Sequence, residues 1–303
     1  MALTFYTLDV FTDRRFGGNP LAVVLDADAL TPDDMQAIAR ELNLSEAVFV
    51  LKPENPAHTA KIRIFTPARE LPFAGHPTIG TAILLAQLRA PDVNGERDAI
   101  IALEQAIGTV RVGVRLKAGQ APFAEFDAPK LPEMAGTLPS RDRIADALGL
   151  LPREIGFENH TALRIGAGNV FAYVPILNLE AIAKARVNGA SWSAAFPESD
   201  VAGAYLYTRQ CVHKGSAFHA RMFAPQLGVP EDPATGAAAV GFAGVLRAFD
   251  VLPDGTHKRS IEQGHEMGRP SAIQLTLIVE GGKLDSVRIG GNAVRVVEGT
   301  IAT

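Results

Sequence analysis

Glu46 is the first residue of this sequence whose type and setting suit acid/base chemistry. It precedes Ala47, Val48 and Phe49 in the segment NLSEAVFV. An apolar setting raises the pKa of a carboxyl group and lets it donate as well as accept a proton. An isolated glutamate at a strand start is also a common solvated surface charge. The residues around Glu46 by themselves favour the surface charge.

A repeated pattern carries further residues that could do chemistry. The segment from Phe65 reads FTPARELPFAGHPTIGTAILLAQL, and the segment from Phe223 reads FAPQLGVPEDPATGAAAVGFAGVL. A second match follows the same order, since Gly18-Asn19 and Gly168-Asn169 each precede an apolar strand. Two matches in one order predict an internal duplication. After a three-residue length difference the aligned residues are Glu70, Pro72, Gly75 and Gly80 with Glu231, Pro233, Gly236 and Gly241.

Each copy leads a strand into a glycine turn that opens an apolar helix. A helix N-terminus offers unpaired N–H groups and the positive end of a dipole, so the turn should bind an anion. If duplicated halves face each other, both helix starts aim at one cleft that suits a carboxylate becoming enolate-like. A lone His76 more often caps a loop, and Asp232 before proline is a common turn pairing. Their places in the repeat favour a site.

The elements that must position these residues form a mixed pattern. Short segments rich in Val, Ile, Phe and Tyr recur along the chain and predict strands. Thr31 as N-cap, with Pro32 at the first helical position, predicts a helix that buries Met35 and Leu42 on one face. A similar start at Ser140 predicts a second helix that stops at Gly149.

Composition limits the classes of protein and partner. The 303 residues exceed the roughly 250 to 300 at which single cores stop growing, so two domains are expected. Hydrophobic residues make up 47% of the chain and charged residues 20%, which indicates a globular protein. With 29 Lys+Arg against 33 Asp+Glu, the net charge is −4. Nucleic acid is therefore not an expected partner.

Compartment and cofactors follow from what the sequence contains. Cys211 is the single cysteine, and Asp9 and Asp13 occupy a region where a signal peptide needs an apolar core. Apolar stretches fall short of the ~18 to 20 residues of a membrane span. We expect a cytoplasmic protein without a membrane partner. His213 and His219 lack a carboxylate or cysteine pattern for a metal, and no nucleotide fingerprint is found, so no metal and no cofactor are expected.

Six motifs spread over nearly the whole chain resemble the PhzF family, which is named for a phenazine-biosynthesis isomerase. They are FGGNPLAVV from Phe16, NLSEAVFV from Asn43, LPFAGHPTIGTA from Leu71, EDPATG from Glu231, QGHEMGRPS from Gln263 and GGNAVRVVEGT from Gly290.

The resemblance implies an α+β protein with the diaminopimelate epimerase-like fold. That fold has two pseudo-symmetric lobes, each a sheet wrapped around a central helix, with the active site between them and usually a homodimer. We expect residues 1–125 to form the N-terminal lobe and 126–289 the C-terminal lobe. We also consider that the last strand, residues 290–303, returns to complete the first lobe.

The resemblance also implies roles for individual residues. Glu46, in a Ser-Glu pattern with Ser45, takes the place of a glutamate that moves a proton between carbons. His76 and Asp232 take the places of its polar partners, which orient substrate and share the proton network. Substrate-binding positions are Ser45, Gly75, Gly236 and Ala237, with the two glycines as backbone donors to a substrate carboxylate.

Two departures bear on the chemistry. Racemases of similar fold use two opposed cysteines, and this sequence has Ala74 and Thr235 at those places, which excludes a two-thiol mechanism. The family's common Thr-Gly-Ser is Thr235-Gly236-Ala237 here, so one hydroxyl donor is absent and the phenazine-pathway substrate is in doubt.

The predicted function is a cofactor-independent isomerase that moves a carbon-bound proton on a small carboxylate. The alternatives are an epimerase or racemase acting at one carbon, and a catalytically inactive small-molecule-binding dimer.

Overall fold

The computed structural model describes residues 2–302, which divide into two compact units. The first unit comprises the chain up to Asp127 together with the segment from Ile289 onward. The second unit is Ala128–Arg288. Each unit mixes strands with a few helices, so the predicted α+β class is confirmed.

The first unit contains two α-helices and nine strands, the last of them shared along the chain with the second unit. In chain order they are β1 (Ala2–Val10), β2 (Asn19–Val24), α1 (Pro32–Leu42), β3 (Glu46–Leu51), β4 (Ala60–Phe65), β5 (Glu70–Leu71), α2 (Gly75–Arg89), β6 (Glu96–Gln105), β7 (Gly108–Lys117) and β8 (Phe123–Asp127). The ninth strand is β17 (Lys283–Ala302), whose later part pairs antiparallel with β1.

Helix α1 forms where the sequence predicts it. Thr31 accepts a hydrogen bond from the Asp34 backbone N–H, and the Asp34 carboxylate accepts one from the Thr31 N–H. This capping box satisfies two N–H groups that the helix start would otherwise leave unpaired. The helix buries Met35 and Ala39 against the strands, and Asn43 ends it in the left-handed conformation.

The sheet of the first unit is mixed. Strand β2 pairs antiparallel with β1 and parallel with β3, and β4 pairs antiparallel with β3 and parallel with β6. The β6–β7 hairpin and β8 continue the ladder. Helix α2 contacts β1, β2, β3, β6, β7 and β8, and most of its residues are buried. A helix that is apolar on all sides requires such a position.

The second unit contains four α-helices and eight strands of its own. They are β9 (Glu133–Met134), α3 (Arg141–Leu148), β10 (Leu163–Ala167), β11 (Asn169–Pro175), α4 (Leu179–Lys184), α5 (Gly189–Ala195), β12 (Ala204–Thr208), β13 (Phe218–Ala224), β14 (Val229–Asp232), α6 (Gly236–Phe249), β15 (Gly255–Gln263) and β16 (Ser271–Glu280). Helix α3 follows Ser140 and ends at Gly149 in the left-handed conformation, as the sequence predicts.

Strand pairing in the second unit follows the same scheme as in the first. Strand β11 pairs antiparallel with β10 and parallel with β12, and β13 pairs antiparallel with β12 and parallel with β15. Helix α6 lies against β10, β11 and β16. Helices α3, α4 and α5 enclose a separate core that includes Trp192 and Phe196.

The same side-chain arrangement also occurs once within each unit. Arg63 makes two hydrogen bonds to the Glu70 carboxylate and lies over the Phe65 ring. Arg221 makes the same pair of bonds to Glu231 and lies over the Phe223 ring. Matching topology and matching contacts support an internal duplication. Among residues 2–302, no helix is both long and apolar enough to span a membrane.

Glycines at matched positions let both central helices approach their strands closely. A Cβ on Gly80 would lie 2.6 Å from Leu21 Cδ2 and 2.7 Å from Val10 Cγ2. A Cβ on Gly241 would overlap the Tyr173 hydroxyl and lie 2.9 Å from its Cζ. Tyr173 is fully buried, and its hydroxyl donates to the carbonyl of Ala238 at 2.8 Å, so the ring has no room to retreat.

Gly241→Ala should therefore destabilise the protein by up to about 2 kcal/mol, because an overpacking cost of about 1 to 3 kcal/mol exceeds the helix-propensity gain of about 1 kcal/mol. Urea unfolding checks the change. Gly189→Ala is the control, since a Cβ at Gly189 in α5 meets no atom within 4 Å. Equal unfolding midpoints for the two variants would show that Tyr173 does not restrict α6.

Candidate active site

Glu46 is placed by the parallel pairing of two strands. It is the first residue of β3 and lies opposite Leu21 of β2. Its side chain is 16% exposed, so the surface-charge role that its neighbours in the sequence favour does not describe it. Ser45 precedes the strand and is partly buried.

His76 meets Glu46 from the start of α2. Its Nδ1 lies 3.5 Å from Glu46 Oε2, and the residue is 3% exposed. Burial lowers the pKa of His76 to about 3, with the carbonyl of Pro20 acting weakly in the opposite direction. The imidazole is therefore neutral at pH 7. A neutral imidazole presents one N–H donor and one acceptor, and both nitrogens lie in a protein interior.

The N-terminus of α2 carries no side-chain cap. Helix α2 begins at Gly75, as the repeat predicts, and its N-cap residue is Ala74 in an extended conformation. Helix α1, in contrast, has a complete capping box at its N-terminus. Uncapped N–H groups at a helix start favour an anion. The His76 imidazole and the Glu46 carboxylate thus lie together at the N-terminus of α2, which is the positive end of its dipole.

The second unit holds the other predicted site residues. Asp232 is the last residue of β14, and Gly236 and Ala237 are the first two residues of α6. Gly236 is buried, and Ala237 is partly exposed. The N-cap residue Thr235 makes no side-chain cap bond to α6. Its hydroxyl instead donates to Asp232 Oδ2 at 2.5 Å.

Gln263, the last residue of β15, reaches the same turn and is fully buried. Its Nε2 donates to the Asp232 carbonyl at 2.7 Å and to Thr235 Oγ1 at 3.1 Å. Its Oε1 accepts from the Thr235 backbone N–H at 3.2 Å. Neither the Thr235–Asp232 bond nor the Gln263 bonds were predicted from the sequence. The i, i+3 spacing of Asp232 and Thr235 is a local signal for the bond between them. Gln263 gives no such signal, because strand pairing alone brings it to this turn.

His219 is a core residue, and it has two carboxylate partners that its sequence neighbours did not indicate. Its Nδ1 lies 2.8 Å from Glu262 and its Nε2 lies 3.0 Å from Glu266. Burial alone would lower the pKa of His219, but hydrogen bonds and charges from the two glutamates raise it to about 9. The ring is a buried cation at pH 7. Pairing of β13 with β15 brings His219 opposite Glu262, which sequence spacing could not show.

His213, Glu262 and His265 bring one ligand atom each within 4.8 Å of one another, the arrangement that a metal ion uses. Glu262, however, accepts the backbone N–H groups of Val212 and His213 and bonds the His219 ring. Burial alone would raise the pKa of Glu262, but the bond with the His219 ring, the two backbone N–H groups and the Ser216 side chain lower it to about 2. Its lone pairs are committed, and we assign no metal to this group.

Several known proteins are similar to this chain in sequence and in structure. The chain is 51% identical to an uncharacterised isomerase of Mesorhizobium japonicum, over 97% of this chain and 96% of that protein. It is 35% identical to trans-2,3-dihydro-3-hydroxyanthranilate isomerase of Pseudomonas aeruginosa, over 97% and 98%. A PhzF-family phenazine biosynthesis protein of Bacillus anthracis has a similar structure, with a TM-score of 0.88, 25% identity and full coverage of both chains.

Relatives at both levels of identity are named isomerases, so the chain is an enzyme of the isomerase class. The family model described as phenazine biosynthesis-like protein, PhzC-PhzF, matches residues 8–299, and the chain belongs to that family. The resemblance stated from the six sequence motifs is confirmed.

His76 and His219 should titrate at opposite ends of the pH scale. We expect the His76 ring to stay neutral throughout pH 5 to 9, because burial disfavours its cation, and His219 to lose its proton only near pH 9. Histidine ring NMR from pH 5 to 10 measures both, with His76→Asn and His219→Gln used for assignment. A His76 signal that titrates near the ordinary value of about 6.5 would contradict its neutral role.

Proposed function

We propose that this enzyme moves a carbon-bound proton on a small carboxylate without a cofactor, with Glu46 as the acid/base group. The observation that carries the proposal is the contact between the Glu46 carboxylate and a buried, neutral His76 at an uncapped helix start. The family motif around Ser45 and Glu46 supports the same assignment.

The two contacting groups divide the work by their protonation. A histidine whose pKa is held near 3 is a poor base at neutral pH, and it can only orient a partner or donate a hydrogen bond. The carboxylate is then the group that accepts the proton from carbon. Once it carries that proton, Glu46 can return it to another carbon of the same substrate.

The helix starts supply the proposed carboxylate site. Neither Ala74 nor Thr235 caps its helix through a side chain, so backbone N–H groups at Gly75 and Gly236 are proposed to bind substrate oxygens. Negative charge that spreads from the broken C–H bond into an enolate-like carboxylate gains most from such donors. Asp232 is proposed as the polar partner in the proton network, and Ser45 as a substrate contact.

The substrate class is proposed as a small ring amino- or hydroxy-carboxylate. The relative from Pseudomonas aeruginosa is named for trans-2,3-dihydro-3-hydroxyanthranilate, which is such a compound. Ala237 replaces the serine common in the family, so we extend the proposal to the class and not to that one compound. We keep the homodimer and the cytoplasmic location as proposals from the family resemblance.

Glu46→Gln should strongly slow proton transfer while the fold remains. An amide has nearly the shape of the carboxylate but cannot accept the proton, so the rate should fall by about 10² to 10⁴. The measurement is deuterium incorporation from heavy water into a panel of amino- and hydroxy-carboxylates, with product structure read by NMR. Glu41→Gln, on the exposed face of α1, is the matched control.

Each outcome of that experiment decides something. Retained turnover in Glu46→Gln would transfer the acid/base role to another group. Exchange with return of the proton to the same carbon would indicate an epimerase or racemase. Tight binding without exchange in the wild-type enzyme would favour a binding protein.

Ala237→Ser should fold normally and should strengthen binding of ring carboxylates by about 0.5 to 1.5 kcal/mol, because the added hydroxyl supplies one hydrogen bond. Calorimetric titration with a carboxylate identified in the exchange panel measures the change. Ala238→Ser is the control, since that neighbouring residue is fully buried and a hydroxyl there should only cost stability. Equal losses of stability in both variants would remove residue 237 from the proposed site.

A further inference from the structure

We propose that Thr235 and Gln263 are positioning residues that hold the Asp232 carboxylate in one orientation. The proposal rests on the function proposed above, in which Asp232 belongs to the proton network. It assigns a task to two residues that neither the repeat nor the family motifs had singled out for one.

The hydrogen bonds form a directed chain. Gln263 is fully buried, and its amide bonds the Asp232 carbonyl and the Thr235 backbone N–H, which fixes the amide plane. The same Nε2 donates to Thr235 Oγ1 at 3.1 Å. A hydroxyl has only one hydrogen to donate. Because Thr235 Oγ1 accepts from the Gln263 amide, its own hydrogen must point away from that amide. The hydrogen is directed at Asp232 Oδ2, 2.5 Å from Oγ1.

Thr235 is not used as a helix cap. A threonine at the N-cap position ordinarily accepts a bond from a backbone N–H in the first turn of the helix. The structure gives Thr235 no such bond, although it is the N-cap residue of α6. The hydroxyl therefore donates to the carboxylate of Asp232, and the start of α6 has no side-chain cap.

The first repeat shows that the turn does not need this pair. Leu71 and Ala74 occupy the positions that match Asp232 and Thr235, yet α2 begins at its glycine in the same way. The matching glutamine, Gln105 at the end of β6, donates to a different hydroxyl, that of Thr78. Carboxylate and hydroxyl are thus both present in one repeat and both absent from the other, as expected of a pair that works together.

A hydroxyl that donates to a carboxylate favours the ionised form and lowers its pKa. It also restricts rotation about the bond that carries the carboxylate. Both effects suit a group that must present a defined acceptor to a substrate proton or hydroxyl.

Thr235→Val tests the proposal, because it keeps the β-branched shape and removes only the hydroxyl. We expect the pKa of Asp232 to rise by about half to one unit relative to wild type, the shift that one hydrogen bond supplies. Carboxyl-carbon NMR of protein labelled at aspartate, assigned with Asp232→Asn, measures it. Thr235→Ser should restore the wild-type value, and the acid limb of the kcat/KM profile should follow the same order.

Thr78→Val is the matched control, since it removes a glutamine-bonded hydroxyl from the first repeat, where it donates to the carbonyl of Ala74. It should leave the Asp232 titration unchanged. If Thr235→Val fails to fold, Thr235→Ala replaces it, because alanine already occupies the matching position in the first repeat. Identical Asp232 titration in wild type and in a folded variant without the hydroxyl would overturn the proposal.

The NMR measurement does not depend on turnover. A wild-type enzyme that exchanges no substrate proton would end the proposed function, and the titration would still report whether Thr235 controls Asp232. A shifted titration together with an unshifted activity profile would instead show that Asp232 is held as described but does not govern the reaction, and would overturn the positioning role.

Discussion

A helix that is buried on all sides has no polar face on which its first N–H groups can meet water. In this chain most residues of α2 and α6 are buried, and neither helix has a side-chain cap. The first N–H groups of both helices thus receive no bond from an N-cap side chain, and a buried N–H group without any partner is costly. The proposed binding of substrate oxygens at Gly75 and Gly236 depends on this one constraint.

Duplication explains why the constraint arises twice, and divergence explains how the two turns differ. The Arg63–Glu70 and Arg221–Glu231 pairs hold the strands before each turn in the same way. The ionisable groups, however, are distributed unequally. His76 matches an alanine in the second repeat, while Asp232 matches a leucine in the first. Each turn thus keeps the scaffold and carries a different polar group.

Local features were predictable from the sequence. The capping residues of α1 and the glycine stops act within a few positions, so Thr31, Ser140, Gly149 and the two glycine turns predicted their elements correctly. The repeat also predicted the helix starts, because proline and glycine spacing survives divergence. These signals are read from neighbouring residues and need no knowledge of the sheet.

Contacts that cross the sheet could not be predicted in this way. His219 meets Glu262 only because β13 and β15 pair in parallel with that register, and the two residues are 43 positions apart. Gln263 reaches Thr235 across 28 positions through the same pairing. The sequence also shows a glutamate at position 46 without showing that a helix start lies against it. Long-range register decides these contacts, and composition carries no record of it.

Close approach at Gly80 and Gly241 has a mechanical consequence. Leu21 and Val10 lie against one helix and Tyr173 against the other, so that each helix packs against its strands at a distance that only glycine permits. The depth of each N-terminus is thereby set by steric stops near its middle. A preorganised helix start lowers the ordering cost that a ligand must overcome when it binds there.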